Sequence, residues 1–252
     1  MDLQTLHDKV NVVRRHRPLI YNITNHVAMN FSANVLLALG ASPIMSNVLD
    51  EAEEIARQAD ALVVNIGTLD NDSLDAMCRA GKIMSERHKN IVFDPVGAGF
   101  TSYRLKASSR IIAECRPTVI KGNASEILAL SGRCVAGRGV DSSVQADMAM
   151  DAAQELSQCC GAVVVVSGET DLIVRGSQVS TVSLGSPLMA KVTAMGCVAS
   201  AVVAAFTVHD SDVFLAAECG MTAVGLAGQR AAGLTRAPGS FQSLFIDKVY
   251  EL

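Results

Sequence analysis

Short apolar runs recur along the chain, each followed by a polar or glycine-containing turn, with longer Ala-rich segments between them. Residues Ala61 to Ile66, Asn90 to Phe93, Thr118 to Ile120 and Ala162 to Ser167 are of strand length and largely apolar, the pattern of strands covered on both faces. Segments Asp50 to Gln58, Ser73 to Arg87, Ala124 to Leu130 and Gln145 to Cys159 place helix-forming residues with apolar positions three and four apart. The alternation predicts βαβ units, hence an α/β fold on a mainly parallel sheet. Val198 to Thr207 is apolar almost throughout and follows a glycine, which predicts a buried helix with its N-terminus at Gly196.

No repeat, low-complexity tract or long Pro/Gly/Ser linker divides the sequence, so residues 1–252 are read as one domain. Turns are expected at Gly97 to Ser102, Arg133 to Ser142 and Arg236 to Ser240. Loops at strand ends are where α/β folds place their sites.

Composition changes the picture mainly by exclusion. The chain is 50 % hydrophobic and 18 % charged, with a mean hydropathy of +0.31, so disorder is a poor description. A net charge of -4 gives no basic field for nucleic acid or anionic lipid, and neither partner is expected. Apolar runs such as Ala162 to Val166 are far short of the roughly 20 residues a membrane helix needs. Met1 to Arg17 lacks the apolar stretch of a secretory leader, so a cytoplasmic location is expected. The 7 cysteines show no two-residue spacing and are read as reduced thiols, all but Cys197 as small apolar fillers.

Four segments carry candidate chemistry. Val192-Thr193-Ala194-Met195-Gly196-Cys197 enters the buried helix, whose unpaired N-H groups would favour phosphate. The same field would lower the pKa of Cys197 and equip it to take a proton, unless Cys197 is only a packed small residue. Asp94, between a strand and Pro95-Val96-Gly97-Ala98-Gly99, is either a magnesium or substrate contact or an Asx-turn and capping residue. In Lys121-Gly122-Asn123-Ala124-Ser125-Glu126, Asn123 and Glu126 are spaced as a capping box, which leaves Lys121 at a strand end as a cation for a nucleotide phosphate. Ser167-Gly168-Glu169-Thr170-Asp171 ends the strongest strand and reads as turn chemistry at the same edge. Neither a Walker loop nor a G-x-G-x-x-G fingerprint after a strand is present, and the 5 histidines have no metal-ligand spacing. Tyr21-Asn22-Ile23-Thr24-Asn25-His26-Val27 and Ala41-Ser42-Pro43-Ile44-Met45 mix amides with apolar residues, as a small heterocycle pocket would.

In order, Asn22-Ile23-Thr24-Asn25, Leu37 to Met45, Asn65-Ile66-Gly67-Thr68-Leu69, Asp94 to Gly99, Gly122 to Ile127, Gly139-Val140-Asp141-Ser142, Pro187-Leu188-Met189, Gly196-Cys197 and Pro238-Gly239-Ser240-Phe241 closely resemble the successive blocks of hydroxyethylthiazole kinases. The resemblance covers nearly the whole chain. It implies a ribokinase-like three-layer α/β/α sandwich, assembled as a homotrimer with the thiazole pocket between subunits. It implies ATP-dependent, magnesium-assisted phosphorylation of the hydroxyethyl arm of a methylthiazole alcohol in thiamine salvage. Carried over by position, Cys197 is catalytic, Met45, Ala194 and Gly196 face the substrate, Asn25, Lys121 and Ser167 contact ATP, with Asn25 reaching across an interface, and Asp94 and Glu126 organise magnesium.

Three positions depart from the family pattern: Ala194-Met195-Gly196-Cys197 stands where the family has Gly-Thr-Gly-Cys, Lys121 where Arg is usual, and Ser167 where Thr is usual. Ala at 194 would strain a backbone that needs glycine, and Met at 195 would remove a hydroxyl beside the phosphate path. Two alternatives follow: a related kinase acting on a hydroxymethylpyrimidine, and a nucleotide-binding relative without catalysis.

Overall fold

A computed structural model describes residues 1–132 and 142–252, with side chains described from 147 onward in the second stretch. The expected turn at 133–142, except Ser142, which opens a helix, the Gly139-Val140-Asp141 part of its block and Cys134 lie outside the described residues.

Among the described residues eight strands form one sheet in the order β2-β1-β3-β4-β5-β6-β7-β8. They are β1 (Leu19–Ile23), β2 (Ser42–Met45), β3 (Ala61–Asn65), β4 (Asn90–Asp94), β5 (Val119–Asn123), β6 (Val163–Ser167), β7 (Asp171–Arg175) and β8 (Gln178–Val182). The pairs from β2 through to β6 are parallel, and β6-β7 and β7-β8 are antiparallel. The four strands expected from the apolar runs are β3 to β6. The others escaped notice because β1 carries Asn22, β2 contains Pro43, β7 begins and ends on charged residues and β8 is largely exposed.

Helices cover both faces. On one lie α1 (Leu3–His16), α2 (Met29–Leu39), α8 (Met195–Thr207), α9 (Val213–Ala232) and α10 (Pro238–Tyr250). On the other lie α3 (Ala52–Gln58), α4 (Asn71–Glu86), α5 (Ser102–Cys115), α6 (Ala124–Leu130) and α7 (Ser142–Cys160). The period-2 alternation of the strands divides the core: Ala61 and Val63 pack toward α8, Leu62 and Val64 toward α4. α8 is apolar all round because it is sandwiched between the sheet and α9. That packing is tight enough that a Cβ on Gly220 of α9 would lie 2.8 Å from the Val203 backbone.

Two expectations are corrected. Residues Pro238 to Ser240 open α10 instead of forming a turn, with Pro in the first helical turn, where its missing N-H is not needed. Among the cysteines, Cys78, Cys115 and Cys219 are buried fillers as expected, whereas Cys159 is exposed and Cys160 half-buried at the end of α7. All six described cysteines are free thiols. Among the described residues no helix is long and apolar enough to cross a membrane.

Candidate active site

β1 leads to β2 on one side and has β3 on the other, so the strand order reverses beside β1. In open α/β sheets the crevice at the carboxyl ends of strands near such a reversal is the usual ligand site. Here polar residues replace apolar ones on the last position of consecutive strands: Asn65 ends β3 and Asp94 ends β4, side by side in register. Continuing the alternation, Asn65, Asp94 and Lys121 all point to the face that α8 covers.

α8 begins directly above them. Its N-cap, Ala194, has φ 68 and ψ 4, a left-handed conformation, and supplies no side-chain cap. By contrast α4 and α6 have reciprocal capping boxes, Asp70 with Ser73 and Asn123 with Glu126. The first-turn N-H groups of α8 are thus left for an anion at an end that carries partial positive charge. The helix starts at Met195, one residue before the expected Gly196. Gly196 is exposed, and a Cβ there would lie 3.7 Å from Lys121 Nζ. Ala194 therefore does occupy a backbone conformation that glycine reaches cheaply. Met195, however, is buried in the core and does not line the open end, which corrects the expectation that it flanks a phosphate path.

Lys121 lies within β5, not after it, and is only 2 % exposed. Its burial is compensated by the charges around it: Asp94, Glu126 and Asp171 all feel its field. Asp94, 3 % exposed, accepts hydrogen bonds at one oxygen, Oδ2, from Asn65 Nδ2 at 2.9 Å and Ser200 Oγ at 2.7 Å. Burial holds its carboxyl above the ordinary range, although Lys121 and the two donors pull the other way. Asp94 caps no helix, so the turn-chemistry alternative is set aside. Glu126 accepts from Asn123 N at 2.8 Å through Oε2 and from Gly97 N at 2.9 Å through Oε1. It therefore caps α6 and also ties down the loop after Asp94. Burial raises its pKa, and Asp94 adds to the rise.

Cys197 is the third residue of α8 and half-buried. Asn25 Nδ2 donates to its Sγ at 3.2 Å and to Asn65 Oδ1 at 2.8 Å, while Asn25 Oδ1 accepts from Ala28 N at 2.9 Å. The expected low thiol pKa is not what this surrounding produces: burial, followed by the Asp94 charge, pushes Cys197 up to about 11. The helix end, the two amides and Lys121 do not outweigh the loss of water. Asn25 is buried within its own chain's cluster, where Gly67 is required, because a Cβ at 67 would lie 2.8 Å from the Asn25 side chain.

Ser167 ends β6 on the same edge, with its Oγ donating to Gly122 O at 3.3 Å, and Asp171 nearby accepts from Gly168 N at 3.0 Å. Met45 stands apart. It ends the edge strand β2, and β1 and β3 separate it from Asp94, about 14 Å at ordinary strand spacing. The structure thus brings together Asn25, Asp94, Lys121, Ala194, Gly196 and Cys197, with Glu126 and Ser167 adjoining, but not Met45.

Three residues of the site were not singled out from the sequence. Asn65 looked like part of an apolar strand, and the signal was its polarity at that strand's last position. Ser200 lay inside an apolar helix. Arg104 Nη1 donates to Ile66 O at 2.6 Å and Val96 O at 2.7 Å, and its Nη2 to Gly67 O at 2.9 Å, clamping the loops after β3 and β4 together.

The hydroxyethylthiazole kinase family model matches residues 10–252. A hydroxyethylthiazole kinase from Oleidesulfovibrio alaskensis is 47% identical over 243 residues, which span 96% of this chain and 91% of that protein. The solved structure of a hydroxyethylthiazole kinase protein from Pyrococcus horikoshii OT3 is 36% identical and superposes with a TM-score of 0.90, covering 99% of this chain and 94% of that one. A ribokinase-like superfamily protein from Enterococcus faecalis V583, 12% identical, shares the fold with a TM-score of 0.66 over 92% of this chain and 86% of its own. The fold is a ribokinase-like α/β/α sandwich, and the chain belongs to the hydroxyethylthiazole kinase family.

Proposed function

We propose that this protein is a kinase that transfers the γ-phosphoryl group of ATP to the hydroxyethyl alcohol of 5-(2-hydroxyethyl)-4-methylthiazole, in thiamine salvage. The observation that carries this reading, beside family membership, is the uncapped N-terminus of α8 standing over buried Lys121 and Asp94 at the carboxyl edge of the sheet. Phosphoryl transfer needs chiefly positioning and charge neutralisation, and these residues supply both.

In this reading Lys121 and Ser167 hold ATP phosphates, and the N-H groups of residues 196 and 197 receive the charge that develops on the transferring group. Ala194 and Gly196 form the substrate-facing backbone, and Asn25 assists on the nucleotide side. Asp94 and Glu126 fit a magnesium ion: they are neighbouring hard-oxygen donors, each with its pKa raised by burial, and the Asp94 charge raises Glu126 further. Magnesium is usually held by one or two carboxylates, with water and phosphate oxygens as its other ligands. Bound there, the ion would neutralise phosphate charge. Cys197, protonated at neutral pH with a pKa near 11, orients the alcohol and is not a ready proton acceptor. A loose transition state tolerates this, because little proton removal is needed before the P-O bond forms.

The assembly in this reading is a homotrimer, and the separation of Met45 from the cluster supports a pocket completed by Met45 of a neighbouring copy. Residues 1–252 act as one domain, and a cytoplasmic location accompanies the use of ATP. Purified protein should release ADP from magnesium-ATP only when the methylthiazole alcohol is present. Release driven equally by a hydroxymethylpyrimidine would redirect the substrate assignment.

A further inference from the structure

Ser200 is fully buried one turn into α8, where a hydroxyl has no packing advantage over the alanines around it. Its single proton has two acceptors within reach, Asp94 Oδ2 at 2.7 Å and Gly196 O at 3.3 Å. The shorter contact is to the ionisable group, so the proton belongs there. Asn65 Nδ2 reaches the same oxygen at 2.9 Å from the neighbouring strand. Two donors, one from the neighbouring strand and one from α8, therefore converge on Oδ2, and among the described residues no donor meets Oδ1. That fixes the carboxylate's rotation and leaves the other oxygen free of those two donors. The contact also ties the sheet to the helix directly: the carboxylate sits on the sheet, and Ser200 sits on the helix whose first turn offers its N-H groups to the phosphoryl group.

We propose that Ser200 is a positioning residue for phosphoryl transfer: with Asn65 it locks the Asp94 carboxylate in one orientation and holds it in register with the first turn of α8. The inference rests on the kinase reading above. Removing the hydroxyl leaves Asp94 with one donor and frees it to rotate, while the helix keeps its backbone and its apolar packing, since alanine is the best helix former. Substrate contacts lie elsewhere, so turnover should suffer and substrate affinity should not.

The test compares the wild type with Ser200→Ala and Ser200→Thr, by crystallography of the unliganded proteins and by steady-state kinetics of thiazole-dependent ADP release. For Ser200→Ala the expected results are a rotated or split Asp94 side chain, a kcat about tenfold lower, the loss of one charge-assisted hydrogen bond, and a thiazole KM within about twofold of wild type. Ser200→Thr, which keeps the hydroxyl, should restore both the rotamer and most of kcat. An Asp94 carboxylate that stays in place in Ser200→Ala, or an unchanged kcat, overturns the proposal. A wild type that releases no ADP with the thiazole defeats the parent reading instead, and the crystallographic comparison still decides the lock.

Discussion

Asn65 and Asp94 are register partners on adjacent parallel strands, and the Asn65 amide donates to the Asp94 carboxylate at 2.9 Å across the ladder. A carboxylate so placed is held by donors and by Lys121, yet burial still lifts its pKa above the ordinary 3.8. Its ionised form is therefore a net burden on the folded state.

Asp94→Asn should remove that burden. A raised acid pKa means the folded chain binds the proton more tightly, so the deficit grows as pH climbs above 3.8 and is complete once pH exceeds the folded value. At pH 7 the variant should melt a few degrees higher, about 2–4 °C per kcal/mol recovered in a chain of this size, and the gain should vanish below about pH 4. Turnover should fall by about 100-fold or more. Thermal melts across pH, paired with ADP release, check both halves.

Ala194 carries a different strain. Its φ of 68 suits glycine, so Ala194→Gly should stabilise the protein by about 0.5–1 kcal/mol in urea unfolding. It should also raise kcat by letting the first turn of α8 settle. Because Met195 is buried in the core, adding Met195→Thr should contribute nothing further to turnover and should lose stability. A double variant faster than Ala194→Gly alone would show that the hydroxyl matters.

The Cys197 thiol, at about 11, should alkylate slowly at pH 7 relative to an exposed thiol such as Cys159, with a rate that climbs toward pH 11. Asp94→Asn should bring that midpoint down, since it removes the second-largest cause of the rise. Site-resolved mass spectrometry distinguishes the cysteines. Cys197→Ser should keep at least about a tenth of wild-type kcat if orientation is the role of the side chain.

Gly67→Ala would press a methyl group onto Asn25, which a Cβ would approach to 2.8 Å. Asn25 should then leave Asn65 and Cys197, and kcat should fall about tenfold or more while the melting temperature changes modestly. Calorimetry and kinetics on the one variant separate these effects.

What the sequence made legible follows from period and position. The buried parallel strands β3 to β6 were visible because their apolar runs need no partner information, whereas β1 and β2 interrupt theirs with Asn22 and Pro43, and β8, paired with β7 through a tight hairpin, is too exposed at the sheet edge to show one. Asp94, Glu126 and Cys197 were recognisable because they stand at element ends. Asn65 stands at a strand end too and its polarity there was the signal passed over, whereas Ser200 and Arg104 were not legible, because their significance lies in what they touch: Ser200 meets Asp94 from 106 positions away in sequence. The Cys197 pKa was misjudged for a related reason. A helix end can be read from sequence, but the depth of burial and the facing carboxylate that outweigh it cannot.

The most direct measurement is ADP release from magnesium-ATP by the purified protein, with the methylthiazole alcohol present, absent, or replaced by a hydroxymethylpyrimidine. Release that requires the thiazole is the predicted result. ATP binding without thiazole-dependent release would contradict the kinase assignment and mark the chain as a nucleotide-binding relative whose catalysis is lost at the strained Ala194 turn.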